Sequence, residues 1–498
     1  MITACATAPQ RTEKEGTMEK LKQEPVLLPV AEDPTIAFAI AFDVGSQDDP
    51  AGKEGLAYLT ATMMAEGATQ RHPYAEILRL LYPMAADYRV RIDKERITFT
   101  GRVHRDNLET YTGLLLDAVL RPAFAEDDFL RLRQRAVDYL EKTLRYSSDE
   151  ELGKAALYDA VFALTPYGHL HQGTVAGLKV LTPADVKAFY GARFVRSAVT
   201  LGLGGSYPES LVATMSAQLA ALPAGELART AVSRPSLPHG RQVVIVKKPG
   251  PATAISLGFP LAARRGEREF YALWVANSWL GEHRNSSSHL YQVIREARGM
   301  NYGDYSYIEW YPEGGMRQTP PPLVPRRAQL FEVWIRPVPN EQAHFALRAA
   351  VRELETLAAN GLSREQFELT RQFVAKYSLH FAETTATRLG FAMDDRWYGL
   401  PPLGHLTGFR TVVPTLTLEE VNAAIAKHLR PETMTIAMVS EDADALAAAI
   451  ASETPSPISY ATPKPLEVLQ EDRAIQVYPL GIGREAIRIV PVEEMFAQ

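Results

Sequence analysis

One cysteine among 498 residues, Cys5, excludes an internal disulfide and says nothing about redox compartment. Long apolar runs are missing too. No stretch reaches the roughly 20 apolar residues a membrane-spanning helix needs. No block of one charge sign stands out: 53 Lys and Arg are interspersed with 59 Asp and Glu, for a net charge of −6. That balance argues against a nucleic-acid partner and against a polybasic membrane patch. No G-x-S-x-G elbow, P-loop or cluster of His and Cys is present, which removes the common routes to serine hydrolysis, nucleotide binding and a Cys/His metal site. What remains is a chain with 46% hydrophobic and 22% charged residues, the composition of a globular protein. Its length suits two domains of about 200–230 residues each.

An internal repeat supports that division. Leu181-Thr182-Pro183-Ala184-Asp185-Val186 recurs as Leu416-Thr417-Leu418-Glu419-Glu420-Val421, a shift of 235 residues. Each copy reads as a capped helix that leads into an alternating strand, Val199–Leu201 in one and Met434–Ile436 in the other. A repeat this long means duplicated domains rather than a solenoid. Applied to Arg295, the shift points to position 60, so the helices around Tyr58 and Arg295 are expected to be counterparts. The boundaries follow: a disordered segment 1–24, a first domain 25–225, a Pro- and Gly-marked linker 226–241, a second domain 242–455 and an extension 456–498. The stretch Leu480–Val490 is able to add a strand. Thr319 to Pro325, with four prolines, reads as a rigid surface loop.

Two segments carry the chemistry. Residues 53–68 form a helix in the frame G-L-A-x-L-x-x-x-M, with Tyr58, Ala61 and Thr62 on one face at i, i+3 and i+4. Residues 290–305 read L-Y-Q-V-I-R-E-A-R-G-M-N-Y-G-D-Y and include Arg295, Arg298 and Tyr302. By themselves these are an amphipathic core helix and a helix with a solvated charged face ending at Gly299. Together, and in order, they resemble the pitrilysin/insulinase family of zinc metallopeptidases, the inverzincins. In that family the first frame carries H-x-x-E-H, two zinc ligands and a water-activating Glu. Here a phenol, a methyl and a hydroxyl stand there. Further segments resemble the family in order: the strand pair Arg89–Arg91 and Ile97–Gly101, the turn Arg121-Pro122-Ala123-Phe124, and Pro166-Tyr167-Gly168-His169. Glu141 falls about where the third zinc ligand lies, but it reads as a surface residue beside Lys142. His169 and His171 read as loop residues rather than a metal pair.

The resemblance implies an α+β fold of two homologous domains, each a mixed or antiparallel sheet with helices packed on one side. It implies no metal or cofactor in this chain. It also implies that Arg295 and Tyr302 are the pair that holds a substrate carbonyl, since preorganised donors aimed at a developing oxyanion lower the barrier to peptide hydrolysis. Arg298, one turn on, is expected in a structural ion pair. In heterodimeric members one subunit keeps zinc while the other keeps the Arg/Tyr pair. The expectation is therefore a zinc-free subunit that clamps a peptide substrate for a zinc-bearing homologous partner. The alternative is an inactive pseudo-peptidase that binds peptides or proteins as a scaffold. Thr3-Ala4-Cys5 resembles a lipobox, which places the protein in the periplasm with a lipid anchor on Cys5. Without that anchor it would be cytoplasmic, and the anchor is its only membrane contact.

Overall fold

A computed structural model describes residues 21, 23–227, 230–232 and 235–498. Cys5 and its lipobox-like neighbours lie outside them. The first half runs β1 (Val26–Pro29), β2 (Thr35–Phe42), α1 (Leu56–Glu66), α2 (Tyr74–Leu81), β3 (Asp87–Ile92), β4 (Ile97–His104), α3 (Leu108–Leu120) and α4 (Glu126–Asp138), which continues as π-helix through Tyr139–Leu144. Then come α5 (Asp149–Phe162), α6 (Val175–Val180), α7 (Pro183–Arg193), β5 (Val199–Gly205) and α8 (Glu209–Leu219). The second half repeats this order. It runs β6 (Gln242–Lys247), β7 (Ala252–Leu261), α9 (Arg268–Gly281), a π-helical segment Tyr291–Glu296, β8 (Asp304–Tyr307), β9 (Gln329–Pro339), α10 (Ala343–Asn360), α11 (Arg364–Tyr377), α12 (Thr385–Tyr398), α13 (Gly404–Thr411), α14 (Leu418–His428), β10 (Thr435–Ser440) and α15 (Ala443–Ala451). The extension adds α16 (Leu466–Ile475) and β11 (Ile487–Pro491).

Each half builds one mixed sheet, with strand order β1-β5-β2-β4-β3 in the first and β11-β6-β10-β7-β9-β8 in the second. Strand for strand, the second sheet is the first with β11 added at the edge. The extension is therefore structural: β11 pairs in parallel with β6. Beyond it Phe496 and Ala497 accept backbone hydrogen bonds from Val175 (3.0 Å) and Ala176 (2.9 Å) of the first half.

The duplication corrects one expectation. The 235-residue shift holds from α3/α10 onward, but β3 and β8 start 217 residues apart, at Asp87 and Asp304. The counterpart of α1 is α9, and the segment bearing Arg295 corresponds to α2. The cause is one insertion. Residues 93–96 join β3 to β4, whereas 308–328 join β8 to β9. A single long connection changes the register of everything before it.

The halves also exchange a helix. In β2, Ile36, Phe38, Ile40 and Phe42 point into the core that holds α1 and α3, while Ala37, Ala39 and Ala41 face Leu389 and Met393 of α12. Small residues let that helix approach closely. A Cβ on Gly202 of β5 would lie 2.5 Å from the Met393 sulfur. Reciprocally α5 covers the back of the second sheet, where Leu152 and Ala156 share a core with Val244, Ala254, Ala437 and Val439. Each half thus lays its own helices on one side of its sheet and takes one helix from the other half on the opposite side. Burying a side chain such as Leu389 or Met393 contributes about 1.5–3 kcal/mol, so the exchange binds the halves firmly.

Candidate functional site

Helix α1 begins at Gly55, whose φ of 107° suits a residue without a Cβ. Asp49 caps the helix: one carboxylate oxygen accepts from the Gly55 N–H and the other from the Ala57 N–H, both at 2.7 Å. His169 Nε2 lies 3.1 Å from the same carboxylate. Burial pushes the Asp49 carboxyl up, against the pull of His169 and the two amides. The His169 loop is thereby pinned to the start of α1, and Lys94 donates to the His169 carbonyl.

Of the three frame residues, Tyr58 lines a cavity that Ala61 and Thr62 do not line. Its ring lies 6.2 Å from that of His171, and its hydroxyl sits by Thr62. Burial raises the phenol pKa, so it stays protonated. Ala61 is fully buried in the core, and Thr62 is 2% exposed. Across from α1, the π-helical continuation of α4 presents Tyr139 to the same cavity. Glu141 turns away and pairs with Lys179 at 2.9 Å, as a surface residue does. Zinc asks for imidazoles, thiolates or carboxylates. A protonated phenol, a methyl and a buried hydroxyl do not fit it. Among the described residues no group of three or more His, Cys, Asp or Glu side chains is placed to hold a metal.

The cavity beside Tyr58 has a volume of about 450 Å³. It wraps the edge strand β3 and is roofed by the β8–β9 connection through Trp310, Glu313, Arg317 and Arg326. The proline-rich stretch is therefore not the surface loop its composition suggests. Pro320, Pro321 and Pro325 are buried. The connection is held by charge. Arg326 makes two bonds to Asp93 (2.9 and 2.5 Å), and Arg327 binds Glu95 by its backbone N–H at 2.6 Å and by its guanidinium. Behind it Arg265 pairs with Glu309 (2.8 Å) and Asp394 (3.0 Å).

Arg295 and Tyr302 lie elsewhere, at the end of the π-helical segment and just before β8. Arg295 is partly exposed, stacked 4.6 Å above the Tyr291 ring and bonded to its hydroxyl, with Glu296 at 2.6 Å. Tyr302 is 78% exposed. Arg298 differs: its side chain is fully buried, with Nε 2.8 Å from Asp472, Nη2 2.8 Å from Glu471 and Nη1 2.7 Å from the Val293 carbonyl. The expected structural ion pair is there, and it ties the segment to α16. Arg89–Arg91 lies on the strand expected near the site, and Arg91, which nothing in the motifs singles out, lines the cavity. Its alternation with Val90 and Ile92 was the available signal.

A model of the insulinase family (peptidase family M16) matches residues 26–171, and one of the peptidase M16 inactive domain matches residues 181–373. The chain belongs to the insulinase family. An uncharacterized zinc protease of Mycobacterium tuberculosis is 24% identical over 441 residues, 86% of this chain and 92% of the relative. Another from Streptomyces coelicolor is 24% identical over 66% of this chain and 68% of its own length. Among solved structures, a peptidase M16 inactive domain from Pseudomonas fluorescens matches with a TM-score of 0.72 at 22% identity, covering 83% of this chain and 94% of that one. A protease from Helicobacter pylori matches with a TM-score of 0.69 at 17% identity, covering 84% and 98%. This insulinase-family chain thus carries Tyr58, Ala61 and Thr62 on α1 in place of H-x-x-E-H.

Proposed function

We propose that this chain is the zinc-free subunit of a two-chain peptidase. In this reading a homologous partner supplies the zinc ion, the activated water and the general base. Arg295 and Tyr302 hold the scissile carbonyl of a peptide, and the two subunits enclose the substrate. The observation that carries the reading is a contrast within one short segment. Arg298 is buried in an ion-pair network, as a structural arginine is. Arg295 and Tyr302 are left towards solvent, where a substrate can reach them. A guanidinium and a phenol are the donors an oxyanion needs. Periplasmic placement through an acylated Cys5 belongs to the same proposal.

The test is reconstitution. The chain should hydrolyse no peptide alone and should restore cleavage to a zinc-bearing homologue from the same host. A homologue that cleaves equally well without this chain would remove the reading.

One observation favours the scaffold alternative. Arg295 is already occupied by Tyr291 and Glu296 and would have to release them. In that reading the outer edge of β3, which pairs with no other described strand, offers main-chain groups to an extended peptide without chemistry.

A further inference from the structure

The cavity beside α1 holds a positive charge with no partner among the described residues. Arg91 stands on edge strand β3, and among the described residues its guanidinium makes no hydrogen bond or ion pair. Three carboxylates act on it electrostatically, those of Glu313, Asp93 and Asp394. Each is committed to another arginine: Glu313 to Arg317 at 2.7 Å, Asp93 to Arg326 at 2.9 Å, and Asp394 to Arg265 at 3.0 Å. Burial, then the neighbouring Arg317, pull the Arg91 pKa down. That is the behaviour of a cation whose neighbouring carboxylates do not make up for its burial.

The space around it is ligand-sized. Its volume of about 450 Å³ falls within the roughly 300–1,000 Å³ of small-ligand sites. Neutral donors share it. Tyr58 keeps its proton, and His171, whose pKa burial lowers to about 3, is a neutral imidazole with no hydrogen bond to a described residue. Each has one hydrogen to give.

We propose that this cavity binds a carboxylate, with the Arg91 guanidinium as its bidentate anchor and Tyr58 and His171 as neutral donors beside it. Lys94, the cavity's other cation outside an ion pair, gives its ammonium to the His169 carbonyl and faces Asp159, so the Arg91 guanidinium calls for one negative charge. A dianionic phosphate would need Arg317 as well, which Glu313 already holds. The planar fork of arginine matches the planar carboxylate. The carboxylate belongs either to a small acid or to the C-terminus of a peptide. Arg295 and Tyr302 do not line the cavity, so this inference is independent of the clamp reading.

Trp310 lines the same cavity and reports on its contents. The full chain and its Arg91→Gln variant are titrated with tri-alanine, its C-terminal amide and acetate, by tryptophan fluorescence and calorimetry. Tri-alanine should bind the wild type at least ten-fold more tightly than the amide does, and Arg91→Gln should abolish that preference. Acetate binding as tightly as tri-alanine would mark a small-acid site; weaker acetate binding would mark a chain terminus, and either supports carboxylate recognition. The proposal falls if acid and amide bind the wild type equally, if neither binds, or if Arg91→Gln binds the acid like wild type. The acid-against-amide comparison on wild type decides the matter even if the variant folds poorly.

Discussion

The two halves share their order of elements and differ most at one connection. Between β3 and β4 the chain turns in four residues, Asp93 to Arg96, and all four are charged and buried. Between β8 and β9, residues 308–328 take the same place. The short turn of one half is neutralised by the long one of the other: Asp93 by Arg326 and Glu95 by Arg327. Arg96 reaches further, to the Met393 carbonyl on the exchanged helix α12. A duplicated fold has thus become asymmetric by lengthening one loop and using it to close the cavity beside α1. The first half carries Tyr58, Ala61 and Thr62 on α1, and the second leaves Tyr302 exposed and Arg295 partly so.

Breaking the Arg326–Asp93 latch should give the largest effect. Both side chains are at most 2% exposed, and removing one partner of a buried pair leaves an uncompensated charge that costs about 3–5 kcal/mol. Arg326→Ala should lower the urea midpoint accordingly, and the apolar double change Asp93→Leu with Arg326→Met should recover much of the loss. A single variant that unfolds like wild type would mean the buried pair does not contribute to holding the long connection on the first half.

The functional asymmetry is tested next. Arg295→Ala or Tyr302→Phe in the reconstituted complex should cut kcat about 100- to 1,000-fold with little change in KM, as loss of a transition-state donor does. Arg79 is the control. It lies one residue from the position equivalent to Arg295 in the first half and makes only a surface pair with Glu76. Arg79→Ala should leave turnover unchanged. Arg298→Ala should lower stability instead, because Glu471 and Asp472 would lose their buried partner.

Much of this was legible in the chain. The two copies of the repeat read as capped helices leading into strands, and the structure has α7 with β5 and α14 with β10 there. The repeated Leu-Thr motif announced the duplication, and Leu480–Val490 did supply a strand. The failures share one cause, which is partners distant in sequence. Asp93 and Glu95 find their counter-ions more than 200 residues away, so the local sequence does not mark that turn as buried. The buried prolines read as a surface loop for the same reason. The exchange of α5 and α12 leaves only a faint mark, the small residues of β2 and β5 on one face. The insertion at 308–328 breaks the constant shift that the repeat suggests.

A smaller difference lies where the equivalent helices end. Helix α1 stops at Gly67, whereas α9 runs into Glu282, a buried carboxyl whose pKa burial lifts to about 7. A raised pKa means that the folded state holds the proton more tightly than the unfolded one does. This group therefore weakens folding progressively as pH climbs from the unfolded value near 4.5 through 7. Glu282→Gln should stabilise the protein at pH 8 by on the order of 1–3 kcal/mol and hardly at all at pH 4. Thermal melts at the two pH values give the comparison, and a gain of equal size at both would mean the carboxyl does not titrate as its burial requires.

The smallest effects fall where the halves are most alike, and they ask whether the halves unfold as one. Thr182 and Thr417 cap α7 and α14 with the same reciprocal box: each hydroxyl accepts from an amide three residues on, and that residue's carboxylate accepts from the threonine N–H at 2.9 Å. Even the outer contact is duplicated. Asp185 pairs with Lys53 just before α1, and Glu420 with Arg268 at the start of α9. Such exposed pairs add at most about 1 kcal/mol. Thr182→Ala and Thr417→Ala should therefore each cost about 1 kcal/mol, the usual value of a lost cap, and they should add in the double variant because the sites share no partner. Two-domain proteins often melt in two steps. Here α5 lies on the second sheet and α12 on the first, so neither sheet keeps its covering helix if the other half unfolds. Both substitutions should shift one and the same calorimetric transition. If each shifted a separate transition, the exchanged helices would be packing against their sheets without coupling them.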